Sequence, residues 1–285
     1  MVDICLLGCG GGMPMPFRSL SSTILNFKGR KILIDCGEGT QVSMKIAGTG
    51  FKDIDLICIT HCHGDHIVGL PGLLATIGNS GRIQPLTIIG PSGITEVVNG
   101  LRVIAKYLPY EINIIENPKE VKFDINKEKL ELSKENGQLI LSCLEVEHSS
   151  PCLGYSFYFK RDRKFSLEKA EENNVPKVLW NKLQKGNNEK IIYDGKTYKK
   201  EMVLGEERRG IKLSLITDTR PLKDIITFIK DSDLFICEGM YGEPEMASKA
   251  VEKKHMTFVE AAELARVAEP GQMWLTHFSP SLIRP

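Results

Sequence analysis

Residues 60–66 read Thr60-His61-Cys62-His63-Gly64-Asp65-His66, placing three histidines and an aspartate within six consecutive positions. Side chains that meet on a helix surface stand three or four residues apart, so these four cannot share one helical face and suit a loop. The run before them, Asp55-Leu56-Ile57-Cys58-Ile59-Thr60, is apolar and rich in β-branched residues, the pattern of a buried strand. Any fold adopted by this chain must therefore deliver a ligand-rich loop at the carboxyl end of an interior strand. Imidazole and carboxylate together are donors suited to zinc and its first-row neighbours. The competing reading of the same loop is a polar surface turn.

The rest of the chain alternates strands with helices. A first strand over residues 4–8 runs into a glycine and proline stretch, residues 9–18, that is a tight loop at a sheet end or a surface where backbone amides approach a phosphate. Residues 21–27 and 31–35 read as a hairpin turning at Lys28-Gly29-Arg30, and residues 41–47 as a short helix. A helix begins near Pro71, residues 86–89 form another buried strand, and a helix follows to about Tyr107. Residues 117–137, rich in Lys, Glu and Asn, are expected to be an exposed excursion. Strands are expected over residues 139–146, 153–159, 211–216, 234–239 and 272–276, with helices over 222–230, 244–253 and 257–268, the last opened by a Thr257-x-x-Glu260 capping box. Residues 160–209 turn polar and basic and form the candidate inserted arm of an otherwise single domain spanning 1–285.

Five of the six histidines, at positions 61, 63, 66, 148 and 277, stand at or just beyond an expected strand end, and His255 precedes a helix start. Asp218 also falls where a strand stops, and Glu238 lies near the end of another. Strand ends along one edge of a layered α/β fold are where sites are built. Singly, each later histidine is more often a satisfied core or surface residue. Jointly, His61, His63, Asp65, His66, His148, Asp218 and His277 supply seven donors, enough for two metals sharing one carboxylate.

Composition narrows the class. With 285 residues, 42% of them hydrophobic, the chain can bury a large core. It has no run approaching the roughly 18 apolar residues of a membrane span. Its start, Met1-Val2-Asp3-Ile4, lacks the basic opening of a signal peptide, so a cytoplasmic location is expected. Eight cysteines without a Cys-x-x-Cys pair read as reduced, buried thiols, with Cys62 pointing away from the flanking ligands. The net charge of +1 neither advertises nor forbids a nucleic-acid partner.

These residues together resemble the metallo-β-lactamase superfamily and, within it, the ribonuclease Z branch. The matching segments are Leu7-Gly8 with Gly10-Gly11-Gly12-Met13-Pro14, residues 34–41 (Ile34-Asp35-Cys36-Gly37-Glu38-Gly39-Thr40-Gln41), the His-x-His-x-Asp-His run, residues 69–73, Glu147-His148, Asp218-Thr219, Glu238, His255-Met256-Thr257 and residues 275–279. They extend over almost the whole chain. The resemblance implies a four-layer αββα sandwich with two zinc ions (manganese also fits) along one sheet edge. It implies that His61, His63 and His148 hold one ion, that Asp65, His66 and His277 hold the other, and that Asp218 bridges them. It further implies hydroxide attack on a phosphodiester, with Asp65 orienting or deprotonating the water and His255 with Glu238 delivering a proton to the leaving oxygen. Precursor tRNA is the implied substrate, with no DNA or membrane partner, and a homodimer is the implied assembly.

Two departures bear on substrate. The arm of the family carries a Gly-Pro element, whereas this chain reads Asn174-Val175-Pro176-Lys177-Val178-Leu179-Trp180; Lys160, Arg161, Arg163, Lys164, Lys177, Lys182 and Lys185 still offer charge, and Trp180 a stacking face. The chain also stops at Ser281-Leu282-Ile283-Arg284-Pro285 without the arginine that closely follows Ser279 in the family, as a shortened chain would. Two alternatives stay open: a dinuclear hydrolase of another phosphodiester, such as a cyclic nucleotide, and a catalytically silent RNA-binding module.

Overall fold

The computed structural model describes residues 1–126, 128–186 and 189–282; Ile283, Arg284 and Pro285 of the tail lie outside the described residues. The chain divides into two compact units, Met1–Phe159 with Ile211–Pro285, and Lys160–Gly210.

In the larger unit, β1 (Val2–Gly8), β2 (Ser22–Phe27), β3 (Arg30–Ile34), β4 (Ile54–Cys58), β5 (Leu86–Gly90) and β6 (Ile112–Glu116) form one sheet in chain order. The first three are antiparallel, and β3 to β6 run parallel. A second sheet contains β7 (Glu120–Ile125), β8 (Leu130–Leu132), β9 (Leu139–Val146) and β10 (Cys152–Arg161). Past the hairpin β11 (Lys190–Tyr193) and β12 (Lys196–Lys199) of the smaller unit, the sheet is completed by β13 (Arg208–Ile216), β14 (Leu234–Glu238) and β15 (Met273–Thr276).

The period-two alternation of these strands sorts side chains into layers. Leu153, Tyr155, Phe157 and Phe159 on β10 join Leu25, Phe27, Ile32, Ile34, Leu56 and Cys58 in the core between the sheets. The intervening residues Ile24, Leu33, Ile54 and Ile57 face the other way, onto helices Thr40–Ile46, Leu70–Asn79 and Ile94–Leu101. Phe235 and Cys237 pack likewise against helices Lys223–Ile229 and Phe258–Ala268. The result is the expected αββα sandwich, and the capping box forms as read, with Thr257 Oγ1 accepting from the Glu260 amide.

Several expectations are corrected. Residues 117–137 are not an exposed excursion: they hold β7 and β8, with Phe123 fully buried. Val121, Phe123 and Ile125 alternate with charged residues, which is the signature of a strand with one wet face, and the dense charge masked it.

The smaller unit has its own core of Ala170, Val175, Leu179, Leu183, Tyr198, Val203 and Leu204. Trp180, expected as a free stacking face, instead packs on Phe165 at 5.1 Å between ring centroids and donates from Nε1 to the Val175 carbonyl at 2.8 Å. Arg163 likewise turns inward, donating to the carbonyls of Gly205 and Leu204. All eight cysteines are free thiols, but Cys5, Cys9, Cys62 and Cys143 are only partly buried.

Candidate metal centre

The carboxyl ends of β4, β9, β13, β14 and β15 converge, and each brings part of one cluster. His61 and His63 follow β4. His63 stays extended and caps a single helical turn, Gly64–Ile67, which carries Asp65 and His66. The expected loop thus closes into one turn here, with Asp65 where a carboxylate suits the positive end of a helix. His148 follows β9, Asp218 follows β13, Glu238 ends β14 and His277 follows β15. Asp218 and His277 sit in the left-handed region at φ 53° and 56°, a conformation that costs a side-chain-bearing residue roughly 1–2 kcal/mol.

All nine sequence-identified residues come together. Ligand atoms within 4.8 Å of one another group as His61, His63 and His148; as Asp65, His66 and His277; and as Glu238, His255 and His277. Asp218 lies between the first two groups. Its Oδ2 is 3.7 Å from His61 Nε2, 3.9 Å from His148 Nε2 and 3.3 Å from His277 Nε2, and its Oδ1 is 3.4 Å from His66 Nε2. Asp65 Oδ2 lies 3.3 Å from His277 Nε2 and 3.6 Å from His66 Nε2. His255 Nδ1 is 3.1 Å from Glu238 Oε2 and 3.8 Å from Asp218 Oδ2.

Residues outside this set aim it. Asp35, itself left-handed at φ 58°, accepts from the Thr60 amide at 2.7 Å and faces His66 Nδ1 at 2.7 Å. A carboxylate there can only accept, so Nδ1 carries a proton and Nε2 is the atom left to face the cluster and take a metal. The Lys254 carbonyl does the same for His148, 3.2 Å from its Nδ1. Gly12 donates its amide to Asp65 Oδ2 at 2.6 Å, and a Cβ on Gly11 would come within 2.5 Å of the His277 ring. The glycine loop therefore seats the cluster, which requires Gly at position 11. Asp35 had a readable signal, since it too ends a strand, but its partner is 31 residues away.

The protonation states are mixed: against the burial that would lower it, Asp218 and Asp35 raise His66 to about 10, so a cation seated at its Nε2 must displace a proton, whereas other donors are already free. Burial and the adjacent His66 hold His61 well below the ordinary imidazole value, and burial lowers His148 to about 4, so both are neutral donors. Burial opposes ionisation of Asp218, yet the surrounding imidazoles, His277 first, hold it well below the carboxylate range. Burial also opposes charge on His255, but the Glu238 hydrogen bond and charge prevail and raise it. Among the described residues His61 Nε2 is buried without a hydrogen-bond partner, and the Nε2 atoms of His66 and His277 meet at 3.1 Å. Orphaned and converging nitrogen donors, with His61 held from behind by Thr60 and His66 by Asp35, fit a metal ion.

Comparison with known proteins agrees. A family model described as anti-Pycsar protein Apyc1 matches residues 2–203. The chain is 63% identical over 285 residues to a protein of Clostridium beijerinckii named ribonuclease Z, covering all of this chain and 90% of that one. It is 62% identical over 286 residues to its namesake in Clostridium tetani, with 91% of that protein covered. The crystal structure of the short form of human tRNase Z superposes with a TM-score of 0.68 at 23% identity, covering 99% of this chain and 94% of that one, and shows the shared fold. A Bacillus subtilis metallo-β-lactamase fold protein, YhfI, matches with a TM-score of 0.65 at 17% identity over 98% of this chain and 87% of its own. On identity sustained over its whole length, and with the αββα sandwich and its strand-end cluster in place, the chain belongs to the ribonuclease Z family, and the Apyc1 family model also takes it in.

Proposed function

We propose that this protein is a zinc-dependent endoribonuclease that cleaves precursor tRNA on its 3′ side. The observation that carries this reading is the placement of Asp218 between two three-residue donor groups, with His255 and Glu238 on their flank; relatives at 62–63% identity named ribonuclease Z support the substrate class. His61, His63 and His148 would hold one zinc, Asp65, His66 and His277 a second, and Asp218 both. Such ions, when bound, supply hydroxide near neutral pH and offset phosphate charge.

The chain's own residues do the rest. Asp65, fixed by the Gly12 amide, orients the attacking water and takes its proton. His255, kept cationic by Glu238, donates a proton to the departing ribose 3′ oxygen. The left-behind RNA ends in a 3′ hydroxyl and the released trailer in a 5′ phosphate. The basic arm would contact the body of the tRNA through its exposed lysines, because Val175 and Trp180, in the stretch that replaces the Gly-Pro element, pack into the arm's own core. A homodimer and a cytoplasmic location complete the reading; among the described residues no helix is long and apolar enough to cross a membrane.

That altered arm favours a second reading, hydrolysis of another phosphodiester by the same centre. Cleavage by matched zinc- and manganese-loaded protein on precursor tRNA and on a simple phosphodiester separates the two. Precursor tRNA should be cut at one 3′ position, and His255→Ala should lower turnover on it with metal content intact. Turnover of the simple ester alone would overturn the assignment.

A further inference from the structure

The strap between helices Ala247–Lys253 and Phe258–Ala268 carries His255, and its backbone is gripped from both sides. On one side the Lys254 carbonyl meets His148. On the other, Arg220 donates from Nη1 to the His255 carbonyl and to Glu260 Oε2 at 3.2 Å, while its Nη2 donates to Glu260 Oε1. Glu260 is the third residue of the helix and closes the capping box with Thr257, accepting from the Thr257 amide at 2.9 Å. One guanidinium thus ties His255, three residues ahead of the helix, to the helix itself.

Arg220 is placed by the same segment that supplies Asp218. Its amide donates to the Glu147 carbonyl at 3.2 Å, and Pro221 follows it. Thr219 donates its amide to Glu238 Oε1 at 2.6 Å and accepts the Glu147 amide on Oγ1 at 3.0 Å. Residues 218–220 therefore touch, in succession, the donor cluster, Glu238 and the His255 backbone. A bidentate Arg–carboxylate pair with 16% and 28% side-chain exposure is a stiffer tether than a lone surface pair.

We propose that Arg220 is a positioning residue for His255, holding its carbonyl to the Glu260 cap so that the imidazole keeps its place between Asp218, Glu238 and the leaving oxygen. The proposal rests on the reading of His255 as proton donor. In the step it serves, a water oxygen joins phosphorus, the P–O3′ bond breaks with its electron pair left on O3′, and one proton passes from His255 to that oxygen. Water's own proton goes to Asp65 and solvent. Arg220 touches none of the reacting atoms; it sets where the donated proton stands.

The test compares two leaving groups on zinc-loaded protein. An RNA 3′ alkoxide needs a proton to depart, whereas the nitrophenolate of bis(p-nitrophenyl) phosphate leaves without one. Arg220→Ala should lower kcat on precursor tRNA about 10- to 100-fold, less than the roughly 100- to 10,000-fold that a general acid contributes because His255 itself stays in place, with KM changed less than about twofold. Hydrolysis of the nitrophenyl ester should stay within about threefold of wild type, metal content should be unchanged, and Arg220→Lys should recover part of the loss. In a His255→Ala background, adding Arg220→Ala should cost nothing further, as expected of residues acting as one unit. Equal loss on both substrates, or losses that multiply in the double variant, would overturn the proposal. If Arg220→Ala does not fold, Arg220→Gln and Arg220→Lys carry the same comparison. If the wild type leaves precursor tRNA uncut, the substrate reading fails on its own, and a ribodinucleotide diester, also an alkoxide leaver, takes its place in the Arg220 test.

Discussion

Asp35→Asn isolates how far the centre depends on a residue that would hold no metal itself but stands behind one that would. In the native protein Asp35 Oδ1 takes the Thr60 amide at 2.7 Å and Oδ2 faces His66 Nδ1 at 2.7 Å, with Thr60 Oγ1 within 3.0 Å of both oxygens. Asparagine is nearly isosteric and tolerates the left-handed backbone found here. Its single oxygen satisfies the Thr60 amide, which leaves the NH2 group against His66. That group can only donate, so His66 Nδ1 must accept and its proton moves to Nε2, the atom aimed at the cluster. The outcome is a donor of the wrong tautomer with its packing intact. Losing such a partner costs about 10- to 100-fold in metal affinity, or about 1.4–2.7 kcal/mol. Titrating metal-free protein with zinc against a competing chelator measures this directly, with one of two equivalents, the one that Asp65, His66 and His277 would hold, the more affected. Wild-type affinity in Asp35→Asn would refute the argument that the tautomer of His66 is set from behind.

Two further perturbations probe the frame. Asp55 is buried and receives Arg30 at 2.5 Å, Arg82 at 2.9 Å and the Leu130 amide at 2.9 Å, so Asp55→Ala leaves Arg30 only the half-exposed Asp53 and Arg82 only backbone carbonyls; urea unfolding should show a loss of about 3–5 kcal/mol, and a loss under about 1 kcal/mol would contradict the pairing. Glu116 accepts from the Gly93 amide and from the amide and hydroxyl of Thr95 at the start of helix Ile94–Leu101, which hold its carboxyl below the ordinary range. A depressed carboxyl contributes stability above the ordinary glutamate value near 4.3 that is lost as pH falls through its folded value. Glu116→Gln should therefore melt lower than wild type at pH 7 and converge with it in acid; a pH-independent difference would refute the charge's role.

The site was more legible than its supports. Positions 61, 63, 66, 148, 218 and 277 could be placed because a strand's hydrophobic run announces where it ends, and each lies just past such an end. Asp35 and Arg220 escaped because their effect depends on partners 31 and 35 residues away that no local pattern names. Strand β6 and the hairpin of β11 and β12 were missed for a different reason: short runs such as Ile112–Glu116 lack the length or clear alternation that separates strand from connection. The charged stretch around Phe123 shows the converse, because a half-exposed strand can carry more charge than most loops.

The donors are also spread along the chain in an order with a consequence for synthesis. Asp65 and His277 meet although 212 residues separate them, and the glycine loop that seats His277 belongs to the first strand's exit. A growing chain on the ribosome carries the first four donors early, yet no pairing of Asp65 with His277 can form until the final strand has emerged and threaded beside β14. The nuclease would thus switch on late and all at once, and RNA near a half-made copy would meet only a partial, open ring of histidines.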